Sequence, residues 1–223
     1  MNVCSNKPIA TGIDLFPGFA SIYGMVHDEV IHLNDQQLDW TSDIWEWSKW
    51  NIRRQISHIA AASFSWLLIR WKNELFPNGY NEIRDLADYT PSPNSPEGRW
   101  LDEGKYVDLS SVLTMLMQAM KLDLHVLRNE TAGSIRKKEL PRPDTWPHWH
   151  QFEKAHPNGV RWHPSDPNFS FVTLEATFRH LYFDAITHIY NIQRLKRAQG
   201  LAAVVEVPFQ GYWALPDWDR SEP

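Results

Sequence analysis

Asp184 and His188 stand four residues apart in the run TLEATFRHLYFDAITHIYNIQRLKRAQG, residues 173–200. Around them Leu174, Phe178, Leu181, Ala185, Ile192 and Leu195 recur at steps of three and four, which predicts a helix of about seven turns with one apolar stripe. At about 100° per residue His188 falls on the middle of that stripe and Asp184 within roughly 40° of it, so both side chains are expected to point into a core. A carboxylate there is costly unless it is paired or holds a cation. Imidazole and carboxylate at i and i+4 share one helix face and can chelate one divalent ion, with a third ligand expected from another helix. The spacing leaves a second reading open, a buried hydrogen-bonded Asp–His pair without metal. His180 continues the four-residue row but drifts to the edge of the stripe, so it reads either as a further ligand or as a histidine at the rim. Asn191 flanks His188 on the same side, and Glu175 fits the first turn of a helix, where the dipole favours a carboxylate.

The elements that must position these groups are also helical. A first helix is predicted over about 15–32, with Phe16, Phe19, Ile22, Tyr23, Val26 and Val30 on its apolar face and Pro17-Gly18 weakening its start. A second, over about 50–74, keeps Ile52, Ile56, Ile59, Ser63, Trp66 and Leu67 on one side and stops at Pro77-Asn78-Gly79. His58 stands one residue off that line, with Gln55, Ala61 and Ala62 one turn away, leaving space for a ligand or another backbone. Arg53 and Arg54 precede it by about one turn and suit either an anionic substrate or a solvated helix end. A third helix is predicted over about 108–130, capped by Asp108 or Ser110, with Leu109, Val112, Leu113, Leu116, Met120, Leu124 and Leu127 as its stripe. The last runs over about 171–199. Prolines at 91, 93 and 96 make 80–106 a long irregular connection, and those at 141, 143, 147, 157, 164 and 167 predict little regular structure over 131–170. Ala202–Val207 could be a short extended piece within a tail, 200–223, that lies across the bundle. The fold class is therefore all-α: one domain, 1–223, built as a four-helix bundle with two long crossings.

A chain of 223 residues can bury a sizeable core. The net charge of -5 gives no basic field for nucleic acid, and Arg136-Lys137-Lys138 is the only basic run. Twelve Trp and ten His are many for this length, and both types gather where pockets or metals are built. The Trp-rich connection, Trp40, Trp45, Trp47 and Trp50, reads as a ligand ring or, preferably, as an apolar cover. His148 and His150 in WPHWH, with His156 and His163 nearby, form a histidine-rich loop that suits a pocket mouth better than a metal. The single cysteine, Cys4, excludes a disulfide framework and a Cys-based zinc site. With no basic-then-apolar leader and no span long enough for a membrane, the expected compartment is the cytoplasm. A Ser-His-Asp order, a phosphate-cradling glycine loop and a nucleotide fingerprint are all missing.

The run QLDWTSDIWEWSKWNIRRQISHIAAASFSWLL, residues 37–68, has a histidine followed by small residues and then an aromatic. It resembles the second-helix signature of the DinB/YfiT-like superfamily. DAITHIYNIQRLKRAQG, residues 184–200, is similar to that family's closing motif, in which HxxxH is followed by a basic residue, Gly, Gln and an aliphatic. The resemblance implies a four-helix bundle in a variant of the up-and-down topology, with a metal held by one histidine of the second helix and the two histidines of HxxxH. Carried over, it makes His58 the first ligand and His188 the last. Asp184 stands where the first histidine of HxxxH is usual, Asn191 where Gln is usual, and Ile192 is the aliphatic. Two histidines and a carboxylate leave coordination positions open and suit zinc or nickel first, then manganese or iron. His180, Asn191 and Arg54 are the expected neighbours of the ligands.

Members of the family include S-transferases that use a low-molecular-weight thiol, and an isomerase that uses the same thiol. By resemblance, then, the chain is expected to be a metal-dependent transferase or hydrolase acting on a small molecule, and to be able to form a homodimer. A different class stays open: a non-catalytic bundle, metal-free or with a structural ion, that works through dimerisation or a partner.

Overall fold

The computed structural model describes residues 9–79, 89, 92–95, 98–143 and 149–223. Four long helices carry the core: α2 (Phe19–Val30), α4 (Ile52–Phe64), α6 (Leu109–Asn129) and α9 (Leu174–Ala198). Short helices fill the joints between them, α1 (Gly12–Leu15), α3 (Asp35–Leu38), α5 (Lys72–Leu75), α7 (Ala132–Lys137) and α8 (Trp149–Ala155). Helices α2 and α4 each pack against both α6 and α9, so the ring of the bundle alternates early and late elements. Three of the long helices start on a side-chain cap: Asn51 Oδ1 accepts from the Arg54 amide, Asp108 Oδ1 from Ser111 and Thr173 Oγ1 from Ala176. These caps satisfy amides that the first turn leaves without a helical partner.

The apolar periodicity lands where it must. Ile22 and Val26 of α2, Ile52 and Ile56 of α4, Leu116 and Leu127 of α6, and Phe178, Ile192 and Leu195 of α9 are all buried. The helix expected over 15–32 is broken at Phe16–Gly18, leaving α1 before the break and α2 after it. A proline supplies no amide there to continue a helical ladder. The helix expected over 50–74 changes character instead. Ser65–Arg70 widens into a π-helical turn, closed by the Trp71 amide on the Trp66 carbonyl at 2.9 Å, and α5 follows.

The chain is mostly helical but not purely so, which corrects the all-α expectation. Strands β1 (Glu139–Pro143), β2 (Val160–Trp162) and β3 (Phe169–Thr173) form an antiparallel sheet in the order β1-β3-β2, inside the stretch predicted to be irregular. The prolines that argued against structure are compatible with it. Leu140 pairs with Val172 and Arg142 with Ser170, and the Leu174 amide donates to the Lys138 carbonyl at 3.0 Å, so the even positions of β1 carry the ladder. Pro141 and Pro143 fall on the odd positions of an edge strand, where no amide is required. The central strand, FSFVT, alternates half-buried and buried residues, with Ser170 and Val172 inside. Helix α9 accordingly begins at Leu174, residues 171–173 belonging to β3.

The tail lies across the bundle, and Ala202–Val207 pairs with no strand among the described residues. Its backbone meets a side chain: the Val204 and Val205 amides both donate to Glu29 Oε1 at 2.9 Å. The Arg194 guanidinium donates to the carbonyls of Asp219 and Ser221, each at 3.1 Å. Among the described residues no helix is long and apolar enough to cross a membrane. Cys4 and His148 lie outside the described residues, as do Pro91, Pro96 and Pro147.

Candidate metal centre

His58 comes from the middle of α4, and Asp184 and His188 come from one face of α9. The packing of these helices brings one ligand-type atom from each residue within 4.8 Å of the others. Asp184 Oδ2 lies 3.1 Å from His58 Nε2, and Asp184 Oδ1 lies 3.5 Å from His188 Nε2. The two imidazole centroids are 4.5 Å apart. The side chains are 12%, 16% and 11% exposed for His58, Asp184 and His188, so the set is sheltered yet reachable from solvent.

What fixes the rings is as informative as the convergence. His58 Nδ1 donates to the Arg99 carbonyl at 2.5 Å, and His188 Nδ1 donates to Gln55 Oε1. Gln55 is itself oriented, its amide nitrogen donating to the Trp50 carbonyl at 3.4 Å. With Nδ1 the donor on both rings, Nε2 is the nitrogen that each ring turns toward the Asp184 carboxylate. Either a proton shared with the carboxylate or a cation satisfies such a set, and the arrangement in which a second acceptor holds the far nitrogen is how metal-binding histidines are commonly oriented.

Electrostatics point the same way. Burial would raise the Asp184 carboxyl, but the fields and hydrogen bonds of His58 and His188 hold it well below the ordinary carboxylate range. Burial pushes the His188 imidazole down, partly opposed by Asp184.

Trp50 covers the set. Its ring stacks on His188 at 5.9 Å with planes 9° apart and meets His58 edge-on at 5.2 Å. Trp100 lies against Trp50 at 5.4 Å, and the Arg99 guanidinium sits 4.8 Å over the Trp50 ring. A member of the Trp-rich connection therefore belongs to the site, whereas Trp45 and Trp47 stack on each other at 5.1 Å and Trp47 lies under Arg194 at 4.5 Å, as cover.

The other expected neighbours fall elsewhere. Arg54 is held by Glu103 at 2.8 and 3.0 Å and rests 4.9 Å over Trp100, so its charge is already answered. Arg53 is bound by Asp35 and Asp39. Asn191 Oδ1 accepts from Arg194 at 2.6 Å, which turns it toward the tail. His180 joins Tyr212, whose hydroxyl lies 2.7 Å from its Nδ1, one turn away from Asp184. Of the histidine-rich loop, His156 is buried against Tyr212, His163 packs on Phe169 and Phe171, and His150 falls in α8. Trp50 belongs to a connection that reads as ligand ring or cover, whereas spacing gives Gln55 and the Arg99 carbonyl no role as site groups. Gln55 stands one turn before His58 on a buried face, a signal that was available, while a carbonyl from a distant loop leaves none.

Helices and site together define a helical-bundle protein with a candidate divalent-metal centre. Among solved structures the fold is shared with YfiT from Bacillus subtilis, described as a probable metal-dependent hydrolase with an unusual four-helix bundle topology. The match has a TM-score of 0.54 at 19% identity and covers 86% of this chain and 89% of that one. At that identity the likeness establishes the fold. No known protein-family pattern matches the sequence. No curated protein matches it either.

Proposed function

We propose that this chain is a metal-dependent enzyme in which His58, Asp184 and His188 hold one divalent ion, zinc or nickel before manganese or iron. The observation that carries the reading is the convergence of two imidazole Nε2 atoms on one buried carboxylate, with both Nδ1 atoms already committed to fixed acceptors. Three protein ligands leave positions open, and an ion so held supplies a Lewis acid that lowers the pKa of a water or thiol it binds. The chain's own residues do the rest. Arg99 and Gln55 lock the two rings, Asp184 stays ionised, and Trp50 screens the set from bulk water while presenting an apolar wall to a small substrate.

The reaction class is attack on a small electrophile by water or by a low-molecular-weight thiol, giving a hydrolase or an S-transferase. The description of YfiT supports the first and the resemblance of the helix motifs supports the second. The test is metal analysis of the purified protein, with one ion per chain expected. Asp184→Ala and His188→Ala should each lose the ion, and a chelator should lower the melting temperature of the parent protein and abolish thiol conjugation or hydrolysis of a model electrophile. Unchanged metal content in both variants would refute the site. A retained ion with neither activity would instead favour a non-catalytic bundle with a structural metal.

Asp184→His gives a second expectation. The substitution recreates the histidine pair at i and i+4 that the family motif carries, and the ion should be retained or held more tightly in a metal-competition titration. Loss of the ion in that variant would mean that residue 184 is not equivalent to the motif's first histidine.

A further inference from the structure

Outside the candidate metal centre, a cavity of about 550 Å³ opens where the turn Pro157–Gly159 approaches the first turns of α9. Gly159 makes that approach possible, because a Cβ there would come within 2.2 Å of the Ala176 Cβ. One wall is cationic. Glu175 accepts from Arg136 at 3.0 Å and from Arg179 at 3.1 Å, so two guanidiniums share one carboxylate and one positive charge is left over. Phe183 and Pro157 supply apolar surface to the same space.

The floor contains a buried imidazole. His156 is 3% exposed and lines the cavity. Its Nε2 lies 3.1 Å from the Tyr212 hydroxyl, which also meets His180 Nδ1 at 2.7 Å. Its Nδ1 is buried and meets no well-aligned hydrogen-bond partner among the described residues, although the Ala155 backbone lies close enough to favour a charged ring. Burial, then the fields of His180 and Arg179, drive the imidazole down to about 2, so the ring is neutral. The Tyr212 hydroxyl has one proton for two imidazoles; when it is donated to His156 Nε2, with His180 Nδ1 donating in turn to the hydroxyl, the one ring proton of the neutral His156 sits on Nδ1. Buried donors without partners are rare enough in folded proteins to call for an explanation, and a ligand atom supplies one.

We propose that this cavity binds a small organic acid with an apolar body. Its carboxylate is taken by Arg179, Arg136 and His156 Nδ1–H, and its body lies on Phe183 and Pro157. Glu175 shows the chemistry, a carboxylate already resting on both guanidiniums. The space falls within the range of small-molecule sites, which combine apolar walls with a few convergent polar groups. The site shares no residue with the metal set, so it stands whether or not the ion binds.

The test uses the full chain with two probes, benzoate and inorganic phosphate, and follows the His156 ring in long-range proton–nitrogen spectra, its signals identified by their loss in His156→Gln. Benzoate should saturate, move those signals, and bind with the same affinity in the presence of EDTA. Phosphate, which has no apolar body, should bind at least about fivefold more weakly, a gap of the size one or two buried methylene groups supply. Arg179→Gln should weaken benzoate about tenfold, the loss of one charge-assisted contact. Arg136→Gln, at a more exposed position, gives a second variant with a smaller loss should Arg179→Gln fail to fold. Absence of saturation, unmoved His156 signals, equal affinity for phosphate, or affinity that vanishes with EDTA would each overturn the proposal.

Discussion

Glu29→Gln should destabilise the protein by about 3–5 kcal/mol, the usual consequence of removing one partner of a buried ion pair. Glu29 is 2% exposed and Lys196 3%, and the Lys196 ammonium donates both to the Glu29 carboxylate and, at 2.9 Å, to the Glu29 backbone carbonyl. The other carboxylate oxygen accepts from Gln193 at 2.7 Å and from the Val204 and Val205 amides, so one side chain joins α2, α9 and the tail. Burial alone would raise the Glu29 carboxyl, but Lys196, Val205, Gln193 and Val204 together hold it below its ordinary value. A carboxyl lowered on folding contributes stability that is present above its unfolded pKa and is lost as pH falls through the folded one. The gap between parent and variant should therefore be full at neutral pH and narrow in acid. Glu29→Gln/Lys196→Met removes the stranded ammonium while keeping an oxygen for the two tail amides, and should recover at least half of the loss. Denaturant melts of parent, single and double variants check this; a single-variant cost below about 1 kcal/mol, or strict additivity of the pair, would show that the interaction is not what anchors the tail.

Periodicity made the four long helices legible because each buries one stripe, and a stripe at 3.6-residue spacing depends only on local order. The same reasoning found Asp184 and His188, since polar residues on an apolar stripe demand an explanation wherever the helix ends up. His58 needed the motif resemblance, because it stands one residue off the apolar line of α4 and the small residues around it leave space for a ligand or a backbone without choosing between them. The sheet was missed for a different reason. Prolines were weighed as breakers throughout 131–170, yet on an edge strand they cost nothing at alternate positions, and only the pairing with β3 reveals which positions those are. The alternation in Phe169–Thr173 was a usable signal that the proline count obscured. Long-range partners left the least trace. The Arg99 carbonyl reaches His58 across 41 residues, and Glu29 reaches Lys196 across 167, separations at which no sequence period operates.

The buried carboxyl of α6 shows both sides of that lesson. Asp123 follows Leu116 by seven residues and Met120 by three, squarely on the stripe, a signal as strong as that of Asp184 although the stripe read from the sequence does not include it. It is completely buried, with Ser63 of α4 donating to Oδ2 at 2.8 Å while Oδ1 has no hydrogen-bond partner among the described residues. Burial lifts its pKa from 3.8 to about 8, only partly opposed by the Ser63 hydroxyl, because among the described residues no cation stands beside it as Lys196 stands beside Glu29. A carboxyl raised on folding binds its proton more tightly in the native chain than in the unfolded one, so between those two values folding becomes less favourable as pH rises. The slope from this one group is about 1.4 kcal/mol per pH unit, levelling off above the folded value. Asp123→Asn cannot ionise and keeps an oxygen for Ser63. It should match the parent near pH 4, then exceed it by a margin that widens to several kcal/mol at pH 8, the scale set by that slope. Melts of the two proteins at matched ionic strength across this range measure the margin directly. A difference that stays constant with pH would mean that Asp123 is ionised in the folded protein throughout, and that water or a cation reaches Oδ1 inside the bundle.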